Sequence, residues 1–417
     1  MKKRSLIALT AACALTLSLA GCAKTPSAEG TPAPVTTAAP RPDAVPEDIA
    51  LAATGIPGDT TVLTVDGVDV DAGTLFYWMM RSADQISQYA ALDWTTEIKD
   101  GQTLAGYLTD TAVDMVKLHQ VIFNHAEEKG VTLTEAERAS FENQMSSMAA
   151  QMGQQLGGAD GQRAYQYYLG YQGQDDALFR RIQEAQYLVT GLRTALYGEG
   201  GELAPTAEEF AQWADENGIY RAKHILVTAE PVKDDAGNVT DDGMAAALTK
   251  AQELRAKLKE NNDDQAYFDL LMQSESTDPG LAQYPQGYVF GPGEMVQEFY
   301  DGTAALAVGQ VSEPIQTSYG YHIILRLDPD VEEGRNLYGT DKISTLVDQW
   351  ATDAVVETNA EFDKLDLEAA YAKMTELRTA IMEAMQGEFM PQETAAPQES
   401  TVPQETDAPE PTPTPVG

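Results

Sequence analysis

The chain of 417 residues contains only two cysteines, Cys13 and Cys22. Cys13 lies in an apolar N-terminal stretch that we expect to be removed as part of a leader, so Cys22 would be the one cysteine of the mature chain. A single cysteine cannot form an intramolecular disulfide. The fold must therefore be stabilised by burial, and a content of 43% hydrophobic residues allows a sizeable core.

Basic residues are also scarce. The sequence has 27 Lys and Arg against 65 Asp and Glu, which gives a formal net charge of −38. Nucleic-acid binding depends on basic side chains that neutralise phosphates, so the composition argues against a nucleic-acid partner. The same acidity argues against electrostatic adhesion to anionic lipid.

No hydrophobic run is long enough to span a bilayer. A basic start at residues 2–4 and an apolar stretch at residues 6–19 are instead typical of a signal peptide, residues 1–21. The stretch ends in Leu19-Ala20-Gly21-Cys22, which resembles a bacterial lipobox. This resemblance implies cleavage before Cys22 and attachment of diacylglycerol to its sulfur. The alternative is an ordinary signal peptide whose cysteine is accidental.

Two further segments have few large apolar residues. Residues 22–55 are rich in Pro, Ala, Thr and Ser, and residues 389–417 are rich in Pro, Glu and Thr. Such compositions cannot bury enough apolar surface to offset the entropy of ordering. We therefore predict a disordered linker and a disordered acidic tail on either side of the folded body.

Helical periodicity dominates residues 56–217. It predicts helices at residues 74–89, 104–129, 164–170 and 177–197. Alternating residues around Asp66-Gly67 predict a hairpin with a tight turn. Thr134 and Glu137 are spaced as a capping box at the start of another helix.

The period changes in residues 218–330. Strands are predicted at residues 220–228, 311–315 and 321–328, with helices at 244–260, 265–274 and 295–300. Helical periodicity then returns in residues 331–388. The order predicts a compact α+β unit inserted into a helical domain that is formed by segments 56–217 and 331–388.

Two of the four histidines stand in matching positions. His224 precedes the apolar run Ile225–Val227, and His322 precedes Ile323–Leu325. A histidine at the start of a core strand is either a buried structural group or part of a site. The residues alone leave both alternatives open.

The region from Ala222 to Leu327 resembles a parvulin-type peptidyl-prolyl isomerase domain. The matching motifs follow in the family's order at residues 222–227, 293–299, 306–315 and 317–324. The resemblance implies a small antiparallel sheet with surrounding helices and a proline pocket at Met295 and Phe299. It also implies a catalytic network of four residues: His224, Asp278, Thr317 and His322. A cysteine or aspartate is usual at the position of Asp278, which we expect to tune the histidines rather than attack the substrate.

The chemistry implied by the resemblance makes no covalent bond. Rotation about an X–Pro bond breaks amide resonance and faces a barrier of ~18–20 kcal/mol. An apolar pocket and well-placed hydrogen bonds can stabilise the twisted, less polar amide. Neither a cofactor nor a metal is expected.

Two segments depart from the pattern of well-known parvulins. A Gly-Gly-Asp-Leu-Gly-like segment is replaced by residues 284–292, so the resemblance does not give the position of the strand at the floor of the pocket. The loop at residues 230–242 carries one lysine among five acids, which argues against a preference for phosphorylated substrates. The acids of this loop lack the spacing of an EF-hand calcium site.

The whole layout resembles the PrsA/SurA class of extracytoplasmic foldases. It implies a lipid-anchored protein on the outer face of the cell membrane that binds unfolded or partly folded secreted proteins. Whether the protein forms a homodimer is left open by the resemblance. Six residues are candidates for an adaptable client surface, with core packing as the alternative: Met145, Met148, Met152, Tyr165, Tyr167 and Tyr168.

The sequence leaves two alternative functions. One is a non-catalytic chaperone with a parvulin-shaped binding module. The other is a solute-binding lipoprotein, which would need two α/β lobes around a cleft, and the sequence has no succession of βαβ units. An isomerase with chaperone activity is the hypothesis that the sequence favours.

Overall fold

The computed structural model describes residues 41–99, 101–158 and 160–389. The predicted signal peptide, the predicted lipidation site Cys22, the first part of the linker and the tail from residue 390 lie outside the described residues. Within these ranges, no helix combines the length and the apolar character needed to cross a bilayer.

The N-terminal segment is mainly helical. Its elements are α1 (Ile49–Thr54), β1 (Thr61–Val65), β2 (Val68–Asp71), α2 (Ala72–Ser87), β3 (Glu97–Lys99), β4 (Gln102–Thr103), α3 (Leu104–Glu128), α4 (Glu135–Gln155), α5 (Gly161–Gln172), α6 (Asp176–Tyr197) and α7 (Ala207–Asn217).

Local signals place several of these boundaries. Thr134 and Glu137 form the predicted capping box, in which each side chain accepts from the other's backbone N–H. Asp66 and Gly67 have φ values of 52° and 79°, the left-handed pair that a two-residue hairpin turn requires. The hairpin between β1 and β2 is thus confirmed.

The C-terminal segment folds back onto the N-terminal one. It contains α11 (Glu332–Asp353), β11 (Val356–Thr358), a 3₁₀ turn (Phe362–Lys364) and α12 (Leu367–Phe389). Helix α11 packs on α3 and α6, and α12 packs on α1 and α5. Strand β11 pairs antiparallel with β1, which gives the sheet order β11-β1-β2. Apolar side chains of both segments share one core.

The linker ends earlier than predicted. Residues 41–55 were expected to be disordered, but Val45, Ile49 and Ala50 are buried in the main core. Asp48 caps α1 by accepting from the Leu51 N–H, and Gly55 ends it with φ 77°. The helix is too short to show a period, so its stability depends on packing against α12 and α2, which the composition could not reveal.

The α+β unit lies between these two segments. Its elements are β5 (Tyr220–Thr228), β6 (Val232–Lys233), β7 (Val239–Asp241), α8 (Met244–Glu260), α9 (Gln265–Glu275), β8 (Tyr288–Phe290), α10 (Gln297–Ala304), β9 (Ile315–Thr317) and β10 (Gly320–Leu327). Four strands form an antiparallel sheet in the order β8-β5-β10-β9.

The two faces of this sheet bury different clusters. Ile225, Ile323 and Leu325 lie under α8 and α9 and belong to the same buried cluster as Phe268 of α9. Ala222 and Ile324 face the other way, where α10 covers them. The predicted fold class, a small antiparallel sheet with helices inserted into a helical unit, is confirmed.

Two local predictions inside the unit are wrong. The helix predicted at residues 295–300 begins only at Gln297, because Gly293 has φ 85° and Glu294 accepts from the Gly291 N–H, which forms a turn. Met295 therefore precedes the helix. Of the strand predicted at residues 311–315, Val311 forms only an isolated bridge with Leu325, and Ile315 begins β9. Pro314, which lies between them, has no N–H to donate.

Half of the candidate client surface is core. Met145 and Tyr165 are buried in a satellite cluster around Phe179, and Tyr167 is buried in the main core. Met148, Met152 and Tyr168 are partly buried against the same satellite cluster. Packing therefore accounts for the positions of all six side chains.

Candidate functional site

The two histidines of matching sequence context lie on neighbouring strands. In the register of β5 and β10, His224 is opposite Ile324 and His322 is opposite Leu226. Side chains two positions apart on paired strands share a face. The imidazole rings are accordingly diagonal neighbours, with centroids 5.1 Å apart, and both side chains are buried.

Phe299 of α10 lies against both rings. Its ring meets His224 and His322 edge to face, with centroid distances of 5.1 and 5.3 Å. Phe299 belongs to the buried cluster on this face of the sheet, and Met295 packs partly buried against that cluster. The structure thus brings the predicted proline pocket to the histidine pair.

Thr317, at the end of β9, contacts His322 at the end of the histidine pair that lies away from Asp278. Its Oγ1 lies 2.9 Å from Nε2 of His322. The backbone N–H of Tyr319 donates to the same Oγ1 at 3.1 Å. A hydroxyl has one donor hydrogen and two acceptor lone pairs, so Thr317 can bond to the Tyr319 amide and to Nε2 of His322 together.

Asp278 lies on the opposite side, in the loop after α9. Its Oδ2 is 3.6 Å from Nε2 of His224, and its Oδ1 accepts from the Gly280 N–H at 3.2 Å. Tyr288 of β8 donates its hydroxyl hydrogen to Oδ2 at 2.7 Å. The ring of Tyr288 is also stacked on His224, with a centroid distance of 5.8 Å and an interplanar angle of 19°.

Tyr288 was missed in the sequence interpretation. It lies in the segment at residues 284–292, where the chain departs from the usual parvulin pattern. The signal that could have found it is an aromatic residue with a hydroxyl, ten positions after the candidate carboxylate Asp278. The pattern of strand alternation gave no reason to prefer it to the neighbouring Tyr284.

Burial keeps both imidazoles neutral. It lowers the pKa of His224, against the opposing influence of the Asp278 carboxylate. It lowers the pKa of His322 to about 3, with a further contribution from the charge of His224. The Nδ1 atoms of both rings have no hydrogen-bond partner. The site can therefore offer neutral hydrogen-bonding groups next to an apolar surface.

The other two histidines lie elsewhere, in the helical unit. His119 is half-buried beside Trp78, and His125 stacks on Trp350 with a centroid distance of 3.8 Å. Across the described ranges, no group of three or more His, Cys, Asp or Glu side chains is arranged to hold a metal ion.

The six predicted residues of the site lie in one place on the sheet. Asp278, His224, His322 and Thr317 form a continuous row, Phe299 lies against the two imidazoles, and Met295 packs beside its cluster. Their individual catalytic roles stay a prediction.

Residues 224–328 match a protein family described as Rotamase, the PPIC-type PPIase domain. This part of the chain is therefore similar to the PPIC-type PPIase domain, which confirms the predicted resemblance to a parvulin-type domain over these residues.

Curated relatives include foldases and chaperones. The foldase protein PrsA of Geobacillus sp. (strain WCH70) is 39% identical over 119 residues, which cover 28% of this chain and 34% of that protein. The chaperone SurA of Chromohalobacter salexigens is 30% identical over 142 residues, 31% of this chain and 29% of that protein. The predicted likeness to PrsA and SurA is thus confirmed as similarity of sequence.

Among solved structures, the crystal structure of PrsA from Bacillus subtilis aligns at 18% identity over 78% of this chain and 93% of that one, with a TM-score of 0.23. The chain spans between 32% and 41% of the length of three PrsA relatives that it matches.

Proposed function

We propose that this protein is an extracytoplasmic foldase that isomerises X–Pro bonds in unfolded or partly folded secreted proteins. One observation carries the proposal. Two buried, neutral imidazoles lie side by side against Phe299, with a hydroxyl at one end of the row and a carboxylate at the other. Together with the family of residues 224–328, this arrangement supports an isomerase rather than a hydrolase, since isomerisation needs no nucleophile.

The proposed mechanism is stabilisation of the twisted amide. The proline ring would rest against Met295 and Phe299, where water is excluded. An amide that loses its resonance becomes less polar, so a desolvated surface favours it over the planar ground state. The row from Thr317 to Asp278 would hold the imidazoles in fixed orientations, so that hydrogen bonding is pre-organised.

The remaining segments are assigned within the same proposal. Residues 56–217 and 331–388 would form a chaperone domain that holds unfolded clients, and residues 218–330 would form the catalytic domain. Cys22 would carry diacylglycerol and anchor the chain at the extracytoplasmic face of the membrane. The composition of the leader supports the anchor, and the likeness to PrsA and SurA supports the client class.

A second candidate function is a non-catalytic chaperone with a parvulin-shaped module. The observation that favours it is the low exposure of the side chains that form the site. His224, His322 and Phe299 are 9%, 5% and 2% exposed, so a substrate must reach a floor that is nearly closed.

An isomerase assay separates the two functions. Exchange between cis and trans forms of a peptide with one X–Pro bond is measured with the wild type and with a variant carrying Met295→Ala and Phe299→Ala. Acceleration by the wild type that the double variant loses supports the enzyme. If the wild type does not accelerate the exchange but still suppresses aggregation of an unfolded client, the protein is not an isomerase and the chaperone function is supported.

A further inference from the structure

Tyr288 is the residue of the site that the family resemblance does not explain. It is half-buried and makes two contacts at once, a hydrogen bond from its hydroxyl to Oδ2 of Asp278 and a parallel stack of its ring on His224. The same Oδ2 atom lies 3.6 Å from Nε2 of His224. The tyrosine therefore contacts both members of the aspartate–histidine pair.

The strand pairing explains how Tyr288 reaches this position. Tyr288 is opposite Ala222 in the register of β8 and β5, so its side chain shares a face with Ala222 and lies next to His224. The preceding residue, Gly287, has φ 89°, and a Cβ on it would lie 2.6 Å from the carbonyl oxygen of Ala222. A glycine is required there for β8 to approach β5.

A second glycine makes room for the hydroxyl. A Cβ on Gly280 would collide with the Tyr288 hydroxyl oxygen, and the Gly280 N–H donates to the other oxygen of Asp278. The carboxylate is thus held by two donors, one on each oxygen. With Oδ1 directed to the backbone and Oδ2 directed to Tyr288, its orientation toward His224 is fixed.

The distance between Asp278 and His224 makes this orientation important. At 3.6 Å the two groups are beyond a direct hydrogen bond, so their interaction is electrostatic and varies with the position of Oδ2. Burial and the hydrogen bond to Asp278 raise the pKa of Tyr288, so its hydroxyl stays protonated and remains a donor.

We infer that Tyr288 is a positioning residue of the isomerase site, which orients Asp278 toward His224 and fixes the plane of that imidazole. It acts through these two side chains and does not contact the bond that rotates. The inference rests on the proposed isomerase function, but its structural part can be tested without activity.

The test is Tyr288→Phe in the full chain, which keeps the ring and removes the donor. The chain has four histidines, so each ring can be followed by NMR as the pH is changed. The titratable groups around His224 are Asp278, Tyr288 and His322. Without the donor, the carboxylate turns toward water, its support of the imidazolium is lost, and the titration of His224 moves to lower pH.

Activity gives the second readout. A bond from a neutral hydroxyl to a carboxylate is expected to contribute about tenfold to kcat/KM through positioning. Asp278→Asn should lower kcat/KM as well, and adding Tyr288→Phe to it should cause little further loss, because the tyrosine acts through the carboxylate. The matched control is Tyr284→Phe, whose ring lies 4.7 Å from that of Tyr288 but whose hydroxyl accepts from Gln283. It should match the wild type.

Several outcomes overturn the inference. One is an unchanged His224 titration in Tyr288→Phe, and another is a loss of activity that is fully additive with that of Asp278→Asn. If the wild type shows no isomerase activity at all, the proposed function fails, while the titration of His224 still decides whether Tyr288 positions the pair.

Discussion

His224 and His322 lie diagonally across two antiparallel strands with ring centroids 5.1 Å apart, and Nδ1 of each ring is buried without a hydrogen-bond partner. A buried polar atom without a partner costs about 1–3 kcal/mol. Such a cost is tolerated mostly where the atom serves a function.

Phe299→Leu should lower kcat/KM by about tenfold. The substitution keeps apolar bulk and removes the edge-to-face contacts with the two imidazoles, which contribute about 0.5–1.5 kcal/mol each. The measurement is X–Pro isomerase activity alongside thermal unfolding. Phe268→Leu is the control, since Phe268 is equally buried on the opposite face of the sheet. Equal activity losses in the two variants would mean that Phe299 acts only through stability.

Thr317→Val should lower activity severalfold and destabilise the domain by about 1–3 kcal/mol. Valine has the shape of threonine but leaves Nε2 of His322 without its partner, so both nitrogens of that buried ring become unsatisfied. Thr303→Val is the control, because Thr303 is buried in α10 and its hydroxyl bonds to the Phe299 carbonyl. Denaturant unfolding and the isomerase assay are compared for both variants. An active Thr317→Val protein of normal stability would contradict the assigned network.

The stability of the isomerase domain should fall as the pH drops from 6.5 toward 5. Burial lowers the pKa of His224 and His322, so the unfolded state takes up protons first and is favoured by acid. The slope approaches about 1.4 kcal/mol per pH unit for each such histidine. His322→Gln should reduce this slope.

The pH dependence of stability can be measured separately for the isomerase domain and for the helical unit. Burial lowers the pKa of His119 to about 4, so His119→Gln should flatten the pH dependence of the helical unit alone. Hydrogen exchange resolved by segment measures both regions between pH 7 and 5. A flat profile in residues 220–327 over that range would refute the neutral, buried state of the pair.

Arg378→Ala should loosen the contact between the two helical segments. Arg378 of α12 makes a bidentate ion pair with Asp84 of α2 at 2.8 and 2.6 Å, and both side chains are mostly buried. Removing one partner of such a pair costs roughly 3 kcal/mol. Lys373→Ala is the control, because its pair with Glu376 is exposed and should contribute under about 0.5 kcal/mol. Segment-resolved hydrogen exchange should show loss of protection in α2 and α12, with residues 220–327 unchanged.

Cys22→Ser should release the protein from membranes. The thiolate of Cys22 is the predicted site of diacylglycerol attachment, and serine cannot form the thioether. Fractionation of cells and the mass of the mature N-terminus give the readout. Cys13→Ser is the matched control, since Cys13 lies in the stretch expected to be cleaved. A Cys22→Ser protein that stays membrane-bound with an unchanged mass would remove the anchor from the proposal.

The sequence by itself determined those features whose cause is local. Asp66-Gly67 specifies its turn through the left-handed conformations that these two residues accept. Thr134 and Glu137 specify a helix start through a hydrogen-bond exchange three residues apart. His224 and His322 were found because each opens an apolar strand, and the ordered motifs around them identified the domain.

Only the tertiary structure decided the features that depend on distant contacts. Strand β11 is three residues long and exists because it pairs with β1, nearly three hundred residues away. Helix α1 forms in a segment of linker-like composition because α12 covers it. The place of Tyr288 between Asp278 and His224 depends on the pairing of β8 with β5 and on the space left by Gly280. Such contacts leave no period in the sequence, since each joins residues that are neighbours only after the chain has folded.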